Sequence, residues 1–116
     1  MGGTRMGAEQ RYVMWIGLEV VDPVRYQEYR AGMTPILRAY GGGFGYDLTV
    51  GELLKSEAAK PFNRVFSIFF PSAALSDRFF ADPAYLEVRR ALFERAVTSV
   101  NVLASFVEPS PSRADA

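Results

Sequence analysis

The first regular pattern along the chain is the run YVMWIGLEVV, Tyr12 to Val21. Its alternate positions Tyr12, Met14, Ile16, Leu18 and Val20 are all apolar, which predicts a strand with one fully apolar face. The intervening positions Val13, Trp15, Gly17, Glu19 and Val21 are mostly apolar too. Asp22-Pro23 then marks a helix start, with Asp22 placed to accept from free N–H groups and Pro23 preset for the first turn. Tyr26, Tyr29, Met33, Ile36, Leu37 and Tyr40 recur at three-and-four spacing, the stripe of an amphipathic helix. Pro35 sits inside that stripe. It predicts a kink near Gly32–Thr34, or a fresh start with Thr34 as cap. Gly41 to Gly43 end the helix.

A second strand is expected from Phe44 towards Leu54, where Phe44, Tyr46, Leu48 and Val50 alternate with Gly45, Asp47, Thr49 and Gly51. Ser56 to Asn63 reads as a polar loop, and Arg64 to Phe70, RVFSIFF, as a third strand. Ser72 caps a short helix through Phe80, and Asp82-Pro83 repeats the cap-and-proline signal for a helical piece to about Val97. Thr98 to Val107 is the last strand, with Val100, Val102, Ala104 and Phe106 expected on one side.

The order strand–helix–strand–strand–helix–strand is a split βαβ plan: an α+β, ferredoxin-like βαββαβ unit with a four-stranded antiparallel sheet. Right-handed crossovers place both helical segments on one face. The other face then offers Val13, Trp15, Val65, Phe69, Leu103 and Val107, although an antiparallel sheet wetted on one side alternates more cleanly. Apolar area left in water costs roughly 25 cal/mol per Å². A symmetric homodimer covering that face is therefore expected, since two-fold pairs dominate soluble oligomers. The competing reading leaves these side chains at strand ends or under the loop Ser56 to Asn63.

Length changes this picture little: 116 residues suit one domain at 12–107, between a loose leader at 1–11 and a flexible tail at 108–116. Composition changes it more. Thirteen basic residues balance thirteen acidic ones, so no charge excess points to a nucleic-acid partner. With no cysteine and no histidine, disulfides, thiol nucleophiles, Cys/His metal sites, haem ligation by histidine and the commonest general base are excluded. No apolar run has the length of a membrane span, and the Gly-rich start lacks the apolar segment of a signal peptide. The expectation is a cytoplasmic protein without metal, cofactor, membrane or nucleic-acid partner.

The block RVFSIFFPS, Arg64 to Ser72, followed by DPAY, Asp82 to Tyr85, resembles the family DUF1330. So do DPVRYQEYR, Asp22 to Arg30, together with Pro35 and the glycines that close the first helix. The likeness runs from about Tyr12 to Val107. It implies a dimeric α+β barrel, two sheets facing each other across a common interior. Relatives of that barrel include cofactor-independent monooxygenases, small isomerases and haem-degrading enzymes; a chain with no histidine departs from the haem-using members.

The candidate site lies on the sheet face away from the helices. Glu19 is the candidate general base, if burial lifts its pKa, and Asn101 the candidate donor to a developing oxyanion. Trp15, Asp47, Ser67, Phe69 and Ser105, with Thr49, would line the substrate cleft, an aromatic surface with a few convergent polar groups. Plainer roles compete. Glu19 suits a salt bridge with Arg30 or Arg64, Trp15 suits a dimer core, and the tyrosines suit packing. Arg89, Arg90 and Arg95 with Glu87 and Glu94 read as a solvated helix face. The expected function is a small, largely apolar molecule held between two sheets, with cofactor-independent oxygenation or isomerisation as the chemistry. The alternative is a non-catalytic interaction module whose second face is only a dimer core.

Overall fold

Three of the helices start where a capping side chain stands. In the computed structural model, which describes residues 9–111, the Asp22 carboxylate accepts from the Arg25 N–H at 3.1 Å. The Ser72 hydroxyl accepts from Leu75 N–H at 3.2 Å, and Asp82 from Ala84 and Tyr85 at 2.7 and 3.3 Å. These caps satisfy amides that helix geometry leaves without partners. The elements are β1 (Gln10–Val20), α1 (Pro23–Ala39), β2 (Gly43–Thr49), β3 (Arg64–Phe70), α2 (Ala73–Phe80), α3 (Pro83–Val88), a π-helical turn (Arg89–Phe93), α4 (Glu94–Ala96) and β4 (Val97–Pro109). The sheet runs β2-β3-β1-β4 with all neighbours antiparallel, the α+β ferredoxin-like arrangement.

α1 continues through Pro35 without the restart at Thr34. It ends in a Schellman turn: Gly42 N–H donates to the Leu37 carbonyl at 3.0 Å and Gly41 N–H to that of Arg38 at 2.9 Å. Gly41 has φ +79°, a conformation that side-chain-bearing residues avoid.

Strand boundaries differ from the sequence expectation for identifiable reasons. Gln10 and Arg11 join β1, and Glu108 and Pro109 join β4, because Arg11 and Glu108 pair at 2.8 Å across the two strands. The rest of the expected leader and tail, residues 1–8 and 112–116, lies outside the described residues. β2 stops at Thr49 rather than Leu54.

Three bulges decide which face each residue occupies. In β2, Phe44 pairs with Ile68 and Asp47 with Phe66, so Gly45 and Tyr46 together oppose Ser67. β4 has one bulge at Thr98 and another at Leu103. The second breaks the expected Val100–Phe106 alternation. Val100 and Val102 pair with Leu18 and Ile16 on the helix side, whereas Ala104 and Phe106 pair with Trp15 and Val13 on the outer side.

The core fills the space between the helices and the inner sheet face. Leu18, Ile68 and Phe70 from the sheet meet Tyr26, Leu37, Phe79 and Tyr85 from the helices, all fully buried. The outer face carries no helix. Part of it is covered by the segment 51–63: Phe62 lies over Gly17, where an added Cβ would come within 2.9 Å of the ring. Asn101 fastens this segment by accepting from Lys60 N–H at 3.2 Å and donating to the Lys60 carbonyl at 3.0 Å. The Ser99 hydroxyl donates to the Pro61 carbonyl at 2.5 Å. The loop reading of this face is thus right for its Gly17–Asn101 end. Elsewhere on this face Tyr46, Leu48 and Phe106 remain 62%, 48% and 40% exposed.

Candidate functional site

A cavity of about 60 Å³ lies between α1, the π-helical turn and the inner face of the sheet. Its walls are aromatic and aliphatic, with Phe44 and Phe66 from the sheet and Tyr29 and Phe93 from the helical layer. π-helical turns cluster at functional sites. Here the turn presents Arg89 and Phe93 to the same space, with the Arg89 guanidinium 4.6 Å from the Phe93 ring centre.

The polar groups of the cavity come from two helices. The hydroxyls of Tyr29 and Tyr85, both buried, share a hydrogen bond of 2.8 Å. Arg89 donates to the Tyr85 hydroxyl at 3.4 Å. Burial pushes the Tyr29 phenol well above its ordinary pKa, and the neighbouring Tyr85 hydroxyl adds to the shift. Burial raises Tyr26 as well, against the opposing pull of Arg30. At neutral pH both are protonated hydrogen-bond donors rather than bases.

Arg30 forms the wall between the cavity and the surface groove beyond α1. Its guanidinium stacks 3.7 Å above the Phe44 ring centre, donates to the Tyr26 hydroxyl at 3.0 Å and pairs with Asp47 at 3.1 Å. Asp47 also receives a two-pronged contact from Arg64 at 2.8 and 2.9 Å. These Arg64 hydrogen bonds, with Arg30 beside them, hold the Asp47 carboxyl below the usual carboxylate range.

A group whose folded pKa is depressed adds stability that is complete above its unfolded value, about 3.9 for Asp, and lost as pH falls through the folded value. The stability gap between the native chain and Asp47→Asn is therefore expected to be constant above about pH 5 and to close below about pH 4. Urea titrations across that window check it. A gap independent of pH would rule out this ion-pair assignment.

The sequence-predicted site residues come together only in part. Trp15, Ser67 and Phe69 do face outward, as do Glu19 and Asn101, in the register Val13–Phe69, Trp15–Ser67 and Gly17–Asn101. Trp15 stacks on Tyr46 with ring centres 5.4 Å apart. Ser67 is occupied by the bulge, accepting from Tyr46 N–H at 2.9 Å. Asp47, Thr49 and Ser105 pair with Phe66, Arg64 and Met14, on the helix side, because the bulges invert their parity. Leu103 sits in a bulge, and Val107 pairs with Tyr12 on the helix side. Glu19 accepts from the Thr98 hydroxyl at 2.9 Å; Arg30 and Arg64, its expected partners, are held by Asp47. Arg89 is a cavity residue rather than part of a solvated face, while Arg90 pairs with Glu87 on the exposed side. Tyr29 and Tyr85 were visible only as stripe residues. The one sequence signal that marks them as a site is that each stands next to or near an arginine that can reach the same interior.

Among the described residues no group of metal-ligating side chains forms, and no helix is long and apolar enough to cross a membrane. No curated protein is significantly similar to the chain. Solved structures similar to it include RPA0582 of Rhodopseudomonas palustris, a protein of unknown function, at 18% identity and TM-score 0.64, covering 90% of this chain and 85% of that one. A nipsnap-family protein of Agrobacterium tumefaciens aligns at 14% identity and TM-score 0.55, over 90% and 91% of the two chains. A DABB-family protein with a ferredoxin-like fold from Mesorhizobium loti aligns at 11% identity and TM-score 0.53, over 89% and 99%. Such low identities speak for the fold alone, but the family model for DUF1330, a domain of unknown function, matches residues 11–106. The chain therefore belongs to the DUF1330 family.

Proposed function

We propose that this protein is a homodimer that binds a small, largely apolar molecule in the cavity between its helices and its sheet. The observation that carries the reading is the cavity itself: a partly open, aromatic-walled space with a buried pair of tyrosine hydroxyls in its wall. An apolar pocket with a few convergent polar groups is the usual form of a small-molecule site. Its volume corresponds to roughly four to six water-sized units at 10–15 Å³ each.

This moves the ligand from the space between two sheets to the inside of each protomer. Two features support the move. Asn101 and Ser99 are engaged with the loop at Lys60 and Pro61, and Phe62 occupies the surface over Gly17, so these polar groups of the outer face are already taken. The exposed Tyr46, Leu48 and Phe106 on that face suit an interface between copies. The cavity wall holds tyrosine donors and guanidiniums but no carboxylate, so it is equipped to bind and polarise a ligand oxygen rather than to abstract a proton. Binding without turnover is the plainer form of the reading, and oxygenation or isomerisation would need the base to come from the ligand.

Xenon-pressurised crystals test the site. One xenon is expected against Phe44, Phe66 and Phe93, since dry apolar cavities take up xenon. Xenon only on the outer face, or none, would overturn the reading.

A further inference from the structure

The cavity carries positive charge without a carboxylate of its own to match it. Arg30 and Arg89 both stand in its wall. Arg30 is engaged from the groove side by Asp47 and stacked on Phe44. Arg89 is different: among the described residues it has no carboxylate within ion-pair distance, and its contacts are the Tyr85 hydroxyl at 3.4 Å and the Phe93 ring. A half-buried guanidinium beside apolar walls gains most from an anion that follows it out of water.

The tyrosine pair gives a second, independent indication. Two hydroxyls bring two hydrogens, and one of these forms the 2.8 Å bond between them. Arg89 donates to the Tyr85 oxygen, and either hydroxyl can be the donor within the pair. Whichever donates, the hydrogen of the other is left with no acceptor among the described residues, on residues that are 5% and 1% exposed. Buried donors without partners are rare, and this one borders the cavity.

We infer that the ligand is a compact aliphatic monocarboxylate, its hydrocarbon part against Phe44, Phe66 and Phe93 and its carboxylate accepting from the free hydroxyl of the Tyr29–Tyr85 pair and the Arg89 guanidinium. This rests on the cavity reading above. A single charge matches the one arginine of the cavity wall that lacks a carboxylate partner. Phosphate fits poorly, since most of the wall is apolar.

The test compares isobutyrate with isobutyramide, which have the same shape and six heavy atoms each, by NMR titration of the full chain at neutral pH. Isobutyrate is expected to bind about tenfold tighter, the scale of a charge-assisted hydrogen bond over a neutral one. Arg89→Gln is expected to weaken isobutyrate about tenfold and to remove its advantage over the amide. The comparison in the native chain needs no variant, so it stands even if Arg89→Gln fails to fold. Equal binding of the two probes overturns the monocarboxylate inference and leaves the cavity reading intact. Binding of neither, with xenon still entering, overturns the inference too; binding of neither with no xenon removes the cavity reading beneath it.

Discussion

Trp15→Arg is expected to turn the proposed dimer into monomers at micromolar concentration. Trp15 lies at the centre of the outer face, stacked on Tyr46 and flanked by Val13, with Ala104 opposite it on β4. A second copy laid on this face would exclude water from the position. The two acids described on the same sheet face are already engaged, Glu108 by Arg11 and Glu19 by Thr98. An uncompensated buried charge costs about 3–5 kcal/mol, or roughly two to three and a half decades in Kd. Tyr46→Arg is the companion variant, since Tyr46 is 62% exposed in the single chain and its replacement leaves the protomer core untouched. Sedimentation velocity reads both. A native chain that sediments as a monomer, or a Tyr46→Arg variant that remains dimeric, would end the assignment of this face to self-association.

The helices of this fold were legible because their signals are local. Asp22-Pro23, Ser72 and Asp82-Pro83 each act within four residues, and each cap forms with the bonds its position predicts. The element order, and with it the ferredoxin-like plan, follows from those starts and from four runs of strand composition. The faces of β2 and β4 were not legible, for a physical reason. Alternation counts residues, whereas a bulge lets two residues oppose one, so every position beyond it changes sides. The bulge at Gly45–Tyr46 turns Asp47 inward to Arg30 and Arg64, and the one at Leu103 turns Ser105 inward and Phe106 outward. The candidate site moved for the same reason. Its predicted residues were selected by parity, while the cavity depends on α1 and the π-helical turn converging from positions 60 residues apart, as in Tyr29 and Arg89. Nothing in the local pattern around Arg89 distinguishes a π turn from a regular helix, and that turn is what brings Arg89 and Phe93 to one wall.

Phe79→Ala is expected to remove about 3–5 kcal/mol of folding stability, the range for emptying a buried phenylalanine site. The reason is its place in the aromatic layer. Phe79 is fully buried and its ring centre lies 4.5 Å from Tyr85, 5.0 Å from Phe80, 5.6 Å from Phe70 and 6.0 Å from Tyr40. Removing it deletes transfer energy and leaves a void that four rings on three elements and a helix end cannot jointly close. Domains of this size are stable by about 5–15 kcal/mol, so the variant sits near the edge of folding. Val24→Ala, at a position 74% exposed on α1, is the contrast and should change stability by no more than about 0.5 kcal/mol. The two differ in function as well as stability. Tyr85 rests on Phe79 and presents its hydroxyl to Tyr29 and Arg89, so the variant that still folds at low temperature should bind isobutyrate more weakly while Val24→Ala binds it normally. Urea midpoints with unchanged slope measure the first effect and NMR titration the second. A Phe79→Ala loss below about 1 kcal/mol would mean that the aromatic layer is loosely packed. A layer that loose would not hold Tyr85 in place for the cavity.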